Sequence, residues 1–176
     1  QTSLALRLNS SGSIDTTFGA SGTFVSPASD AAALDILIES SGKIVMFGFA
    51  GTDSEQFDLL AIRLSSNGVL DSTFGNSGIS RTTVGFSAAA LGGTIQSDGR
   101  YIVVGQTVGT FEFQRAVIVR LDSLGKPDAS FLSGGFTQQN TGVDVFGSGI
   151  LELTDGSLIT LGVSMTSLTM YLSKYN

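Results

Sequence analysis

The chain has 176 residues, of which 41% are hydrophobic, and this is enough to bury the core of one domain. Its formal net charge of −6 argues against a nucleic-acid-binding surface, which needs clustered basic residues. The absence of cysteine and histidine excludes thiol chemistry, disulfides, thiolate metal sites and the commonest general base.

The first predicted strand runs from Ser3 to Asn9. Leu4, Leu6 and Leu8 alternate there with Ala5 and Arg7, which is the two-residue period of a half-buried strand. The elements predicted next are a turn over Ser10 to Ser13, an ordered loop to Gly22, and a short strand from Thr23 to Ser26 that ends at Pro27.

A hairpin follows and then recurs. Ala31 to Glu39 and Lys43 to Phe49 are predicted strands joined by the turn Ser40-Ser41-Gly42. Asp-Gly turns lead into the corresponding later strands, Arg100 to Gln106 and Ser157 to Val163. Because no window has a period of 3.6 residues, the sequence predicts an all-β protein.

A longer stretch, from Leu6 to Gly22, also recurs, at Ile62 to Gly78 and at Val119 to Gly135. Its arginines, Arg7, Arg63 and Arg120, are 56 and 57 residues apart. A fixed period of this size indicates a repeat architecture.

Each repeat offers four strands, and radially arranged four-stranded antiparallel sheets are the blades of a β-propeller. The prediction is therefore one all-β repeat domain over residues 1–176, with about three repeats of 56–57 residues. Its predicted parts are a partial blade at 1–27, blades at 28–85 and 86–141, and an incomplete blade at 142–176. Since a closed ring usually needs at least four blades, we expect a propeller that is open or completed by oligomerisation, or a fragment of a longer one.

The repeated pattern R-L-N-x-x-G-x-[IL]-D-x-[ST]-F-G-x-x-G, followed by x-x-[DS]-G-[KR]-I-V-x-x-G, resembles the delta-60 repeat of bacterial β-propellers. The resemblance implies a secreted or surface-exposed bacterial protein and transfers no catalytic motif. In the third copy Leu132 replaces a glycine and Pro127 precedes Asp128, so we expect a distorted loop there.

Three residue types recur with the period, and we interpret them as structural. An Arg on the third strand and an Asp in the following loop are predicted to form a bridge within each blade, and the Asp to bond local backbone N–H groups as well. A Phe three residues later is predicted to pack between neighbouring blades. These positions are Arg7, Asp15 and Phe18; Arg63, Asp71 and Phe74; and Arg120, Asp128 and Phe131.

The loops that differ between copies gather on one face of a propeller and are the candidate ligand-binding residues: Asp53, Glu55, Phe86, Phe111 and Glu112. Asp53, Glu55 and Asp58 could hold Ca²⁺ through oxygen ligands, although solvated acids are the simpler interpretation. A glycosidase pair of Asp53 or Glu55 with Glu112 is an enzymatic alternative.

The sequence therefore predicts a non-catalytic extracellular or bacterial cell-surface module, without cofactor or metal. Its expected partners are other copies of itself, because apolar strands at both ends would leave open sheet edges. The alternative is a module that binds glycan or protein, in adhesion for example, through the variable loops. Neither nucleic acid nor a membrane span is expected, since no apolar run reaches the ~20 residues of a membrane-spanning helix.

Overall fold

A computed structural model of the chain describes residues 2–52, 56–108, 114–132, 134–138, 144–164 and 169–175. These residues form thirteen strands and no helix. The strands are β1 (Leu4–Leu6), β2 (Thr23–Val25), β3 (Ala31–Ile38), β4 (Ile44–Gly51), β5 (Phe57–Leu64), β6 (Ile79–Thr82), β7 (Ser87–Ile95), β8 (Tyr101–Val108), β9 (Arg115–Leu121), β10 (Phe136–Gln138), β11 (Val145–Glu152), β12 (Leu158–Ser164) and β13 (Thr169–Tyr175).

The strands form four antiparallel sheets. The first sheet pairs β1 with β2, and the fourth is ordered β11-β12-β13. Between them lie two complete four-stranded sheets, the second (β3-β4-β5-β6) and the third (β7-β8-β9-β10). The all-β prediction of four-stranded blades in an open propeller is thus confirmed, with the first and fourth sheets incomplete.

The innermost strand of each later sheet carries a β-bulge at the same place in the repeat. The register shifts between Ala33 and Asp35, between Ala90 and Gly92, and between Gly147 and Gly149. A bulge increases the local twist of a strand. The glycine facing the bulge has no room for a side chain, because a Cβ at Gly48 would lie 1.8 Å from the Ala32 carbonyl oxygen.

The core lies between the sheets. One apolar cluster joins the first and second sheets through Phe18, Phe24 and Ile62, and another joins the second and third through Phe47, Phe74 and Tyr101. A third cluster joins the third and fourth sheets. Because each sheet is covered by its neighbours, a sheet without a neighbour leaves one apolar face open.

The first strand is shorter than predicted, since β1 ends at Leu6 and not at Asn9. Beyond Leu6 the backbone bonds to its own loop: Arg7 N–H donates to the Gly22 carbonyl, and Asn9 N–H to the Ser13 carbonyl. Leu8 keeps only an isolated bridge to Ile14. The loop therefore takes over the hydrogen bonds that a longer strand would have given to β2.

Candidate interaction surfaces

The recurring Arg, Asp and Phe form one arrangement in all three repeats. The Nε of Arg7 donates to Asp15 Oδ2 at 2.8 Å, and the pairs Arg63–Asp71 and Arg120–Asp128 each measure 2.9 Å. Each guanidinium also lies over the phenylalanine ring of its own repeat, 4.5 to 4.9 Å from the ring centroid. Arg, Asp and Phe thus lock the third strand to the loop that follows it.

Each of these aspartates has a lowered pKa. Thr17 donates hydrogen bonds to Asp15 from both its hydroxyl and its backbone N–H, and Ser130 does the same for Asp128. Together with the adjacent arginine, these bonds lower the pKa of both carboxyls. Burial opposes the shift at Asp71, but hydrogen bonds from Lys43 and Thr73 and the charge of Arg63 lower its pKa well below the usual range. The carboxylates are therefore held ionised.

The loop also reaches the next sheet, which the sequence did not predict for the arginine. Arg7 Nη1 donates to the Ser66 carbonyl at 2.6 Å, and Arg63 Nη1 to the Ser123 carbonyl at 2.7 Å. These carbonyls occupy equivalent positions in the turn after the third strand. Arg7 and Arg63 therefore bridge within their own repeats and also bind the following repeat.

Two further contacts accompany each of these bonds. The N–H groups of Gly19 and Gly75 donate to the carbonyls of Asn67 and Leu124 at 2.8 and 2.7 Å. The Phe rings cover the turn glycines, since a Cβ at Gly68 would lie 2.7 Å from the Phe18 ring. We call this set the interblade clasp: the donor half is the Arg, the Phe and the residue after the Phe, and the acceptor half is the three-residue turn.

A charged network is added to the clasp between the second and third sheets. Tyr101 accepts a hydrogen bond from Arg63 Nη1 at 3.0 Å and donates to Glu39 Oε1 at 2.5 Å. Burial and the bond to Glu39 raise the pKa of Tyr101 to about 12. The network ties two blades together, and no exposed nucleophile or general base belongs to it.

The described residues of the loop in the third repeat keep the conformation of the other two copies, so the expected distortion is wrong there. Leu132 has a φ of +48°, close to the +53° of Gly19 and the +54° of Gly75. The Phe131 N–H also bonds the Asp128 carbonyl, as in the other copies. The surrounding hydrogen bonds thus hold a leucine in a conformation that normally favours glycine.

Most of the predicted ligand-binding residues lie outside the described residues: Asp53, Glu55, Phe111 and Glu112. Phe86 is described and is half-buried in the link before β7. Asp58 is buried and accepts a hydrogen bond from the Thr83 hydroxyl at 2.7 Å. Among the described residues no group of three acidic side chains could hold a metal ion.

Two of the concavities lined by described residues adjoin the clasp or the end of the chain. A cleft of about 580 Å³ beside the third-strand turn of the third sheet includes Asn76, Arg81 and Lys126 in its lining. A groove of about 280 Å³ lies between β1 and β3, and its apolar lining includes Leu4, Leu6, Leu34 and Ile36. In each complete sheet, two inner strands lie beside the third strand. The first sheet lacks these two strands, and the groove lies on the corresponding side of β1.

In the described part of the chain, no helix is long and apolar enough to cross a membrane. No curated protein matches the sequence significantly. A family model described as a β-propeller domain of unknown function (DUF5122) matches residues 1–18, 39–74 and 96–131, just over half of the chain. Each of the two longer segments runs from the first hairpin turn of a repeat to its clasp phenylalanine. The chain therefore belongs to the DUF5122 β-propeller family.

Proposed function

We propose that this chain is a non-catalytic structural and interaction module, a propeller segment that self-assembles through its open strand edges into a ring or filament. We further propose that it is a delta-60 repeat protein of the bacterial cell surface or extracellular space. The repeat pattern and the acidic, cysteine-free composition support these assignments. The absence of histidine and cysteine supports a non-catalytic role.

The observation that carries the proposal is the exposure of β1. In β5 of the second sheet, the side chains facing the preceding blade are at most 2% exposed. Their counterparts in the first sheet are at least 50% exposed, although they are equally apolar. The exposed residues are Leu4, Leu6 and Leu8, and their buried counterparts are Leu60, Ile62 and Leu64.

A second apolar surface adjoins the first. Leu34, Ile36 and Ile38 project from β3 into solvent on the side of the first sheet. The groove between β1 and β3 has room for the two inner strands that the first sheet lacks. Contiguous exposed apolar surface of this kind marks an interaction site.

The fourth sheet exposes the complementary surface. Leu161, Met170 and Leu172 are exposed, whereas their counterparts in the third sheet, Val104, Ala116 and Ile118, are buried against the next blade. In the described structure β1 is thus uncovered on the side of a preceding blade, and the fourth sheet is uncovered on the side of a following one. Such a pair of surfaces fits a head-to-tail association, which closes into a ring or grows into a filament.

The proposal is tested by the mass of the particle in solution, measured by light scattering after size exclusion at low micromolar concentration. Two copies are expected for a six-bladed ring, and larger, concentration-dependent particles for a filament. A stable, monodisperse monomer would refute the proposal.

Leu6→Ser identifies the surface involved. Removing a buried leucine side chain costs about 2 kcal/mol or more, so the dissociation constant of the assembly should rise at least about tenfold. Val69→Ser is the matched control, because Val69 is similarly exposed but lies in a turn away from both end surfaces. Equal masses for the two variants would remove β1 from the interface.

The alternative function is glycan or protein binding through the variable loops. Of its candidate residues, Phe86 is described, and it is half-buried rather than presented to solvent. Glycan-array binding that Phe86→Ala abolishes, by a chain that remains monomeric, would favour this alternative over self-assembly.

A further inference from the structure

One donor half of the interblade clasp is unmatched. Among the described residues Arg120 uses its Nε and Nη2 within its own loop, but its Nη1 has no acceptor. Phe131 belongs to the buried cluster between the third and fourth sheets, but at 9% it is more exposed than Phe18 (1%) and Phe74 (0%). Leu132 has the backbone conformation from which Gly19 and Gly75 donate to the next turn.

One acceptor half is also unmatched, at the other end of the chain. The turn Ser10-Ser11-Gly12 is the first-sheet equivalent of the turns that receive Phe18 and Phe74. A Cβ at Gly12 would meet nothing within 4 Å in the described structure, whereas one at Gly68 or Gly125 would meet a phenylalanine ring. Gly12 nevertheless has a positive φ of +82°, close to the +77° of Gly68 and the +80° of Gly125.

We propose that the two unmatched halves bind each other between two copies of the chain. This docking rests on the proposed self-assembly. In it, the Ser10-Ser11-Gly12 turn is the docking site for Arg120, Phe131 and Leu132 of a second copy. By equivalence with the two complete clasps, Arg120 donates to the Ser10 carbonyl, Leu132 N–H donates to the Ser11 carbonyl, and Phe131 covers Gly12.

The docking dictates which strand lies beside β12. The turn follows β1 directly, so β1 of the second copy must take the third-strand place in the fourth sheet. Within one copy β13 occupies that place, paired with β12 along its whole length. Strand β13 is therefore a self-capping strand that leaves when the copies assemble and takes Met170 and Leu172 with it. Leu161 of β12 remains on the fourth-sheet surface that faces the second copy, and β1–β2 then complete a four-stranded blade.

The side chains favour β1 over β13 at this position. Lys174 occupies the place of the clasp arginine in β13, is about half exposed, and pairs with Asp155 at 3.4 Å. Arg7 in β1 bonds Asp15 and Thr17 and stacks on Phe18. A second copy thus brings a complete Arg, Asp and Phe loop to this place.

Gly12→Asn tests the docking directly. Asparagine tolerates a positive φ, but its side chain would fill the space that Phe131 of the second copy needs. Gly99→Asn is the matched control, because Gly99 has the same φ of +82° and equally open surroundings, outside any clasp. We expect Gly12→Asn to raise the concentration for half-assembly at least tenfold and Gly99→Asn to leave it unchanged.

The outcomes separate the two proposals. If the wild-type chain assembles and both variants assemble equally well, the clasp is wrong and self-assembly stands. If the wild-type chain is a monomer, self-assembly fails and the clasp with it.

A disulfide gives a readout that does not depend on the Gly12 variant. Because the chain has no cysteine, Ser11→Cys and Leu132→Cys proteins can be mixed, refolded together and oxidised. The clasp predicts a covalent dimer of one copy of each, since the equivalent residues Leu124 and Gly75 are joined by a 2.7 Å backbone bond. The control mixes Leu132→Cys with Ser41→Cys, since Ser41 lies in an exposed turn of the second sheet. If the Ser11→Cys mixture cross-links no more than this control, the docking is wrong.

Discussion

Arg63 and Arg7 make the same bonds to their own loops, but they differ in burial. The side chain of Arg63 is 5% exposed and that of Arg7 is 34% exposed. Arg63 also bonds Tyr101, so it belongs to a larger buried network. A buried guanidinium that loses partners costs more than an exposed one, because water cannot replace them.

We therefore expect Arg63→Lys to lower the free energy of unfolding by about 2 kcal/mol, because an ammonium cannot keep the separate bonds to Asp71, Thr73 and Ser123. Arg7→Lys, the same change in the exposed repeat, should cost less than about 1 kcal/mol. Urea denaturation measures the free energy of unfolding of both variants. Equal losses in the two variants would contradict the role of burial.

Tyr101 gives the network a signature at high pH. Its pKa rises from 10.0 to about 12 on folding, so its contribution to stability is complete below pH 10 and is lost as the pH rises through 12. Tyr101→Phe should lower the free energy of unfolding by about 1 kcal/mol at neutral pH. The difference between wild type and variant should shrink between pH 10 and 12, and a constant difference would contradict the assignment.

At the scale of elements, the turns after the third strands serve two purposes. They reverse the chain, for which a positive φ suits glycine, and in the two complete sheets they receive a phenylalanine from the preceding repeat. The hairpin turn at Gly99 has only the first purpose. The two kinds of turn can therefore be separated by mutation.

Gly125→Ala and Gly99→Ala share the backbone penalty, since their φ values are +80° and +82°. Only at Gly125 would the new Cβ lie 2.6 Å from the Phe74 ring. We expect Gly125→Ala to be the more destabilising by about 1–3 kcal/mol, the usual cost of overpacking. Thermal or urea unfolding checks this, and equal losses would mean that the ring moves away freely.

At the scale of the whole molecule, stability and assembly are linked. The end surfaces leave apolar side chains in water, and association would bury them against another copy. Binding of folded copies stabilises the folded state by mass action. The complete second and third sheets should then be less affected by dilution than the incomplete first and fourth.

The midpoint of thermal unfolding should consequently rise with protein concentration for the wild-type chain. Leu6→Ser should reduce this dependence, and Val69→Ser should retain it. Differential scanning calorimetry over a hundredfold range of concentration measures the effect. A midpoint independent of concentration would argue against a folded assembly.

The order and type of the elements followed from the sequence alone. A period of 56–57 residues, alternating apolar residues and Asp-Gly turns are local signals, and local signals determine strands and hairpins. The pairing of each Arg with its Asp could also be predicted, because the two residues belong to one repeat. The predicted ligand-binding residues had no such repetition. Of the five, Phe86 lies in the described structure, as does Asp58 of the three calcium candidates.

What only the tertiary structure decided was which blade each residue contacts. Repetition makes Arg7, Arg63 and Arg120 look alike in sequence, yet within the described structure Arg7 and Arg63 bond the next turn and Arg120 bonds its own loop. Leu4 and Leu60 look alike too, yet one is exposed and the other is buried. The physical reason is that a repeat buries its faces against its neighbours, so the environment of a side chain depends on which blades adjoin it.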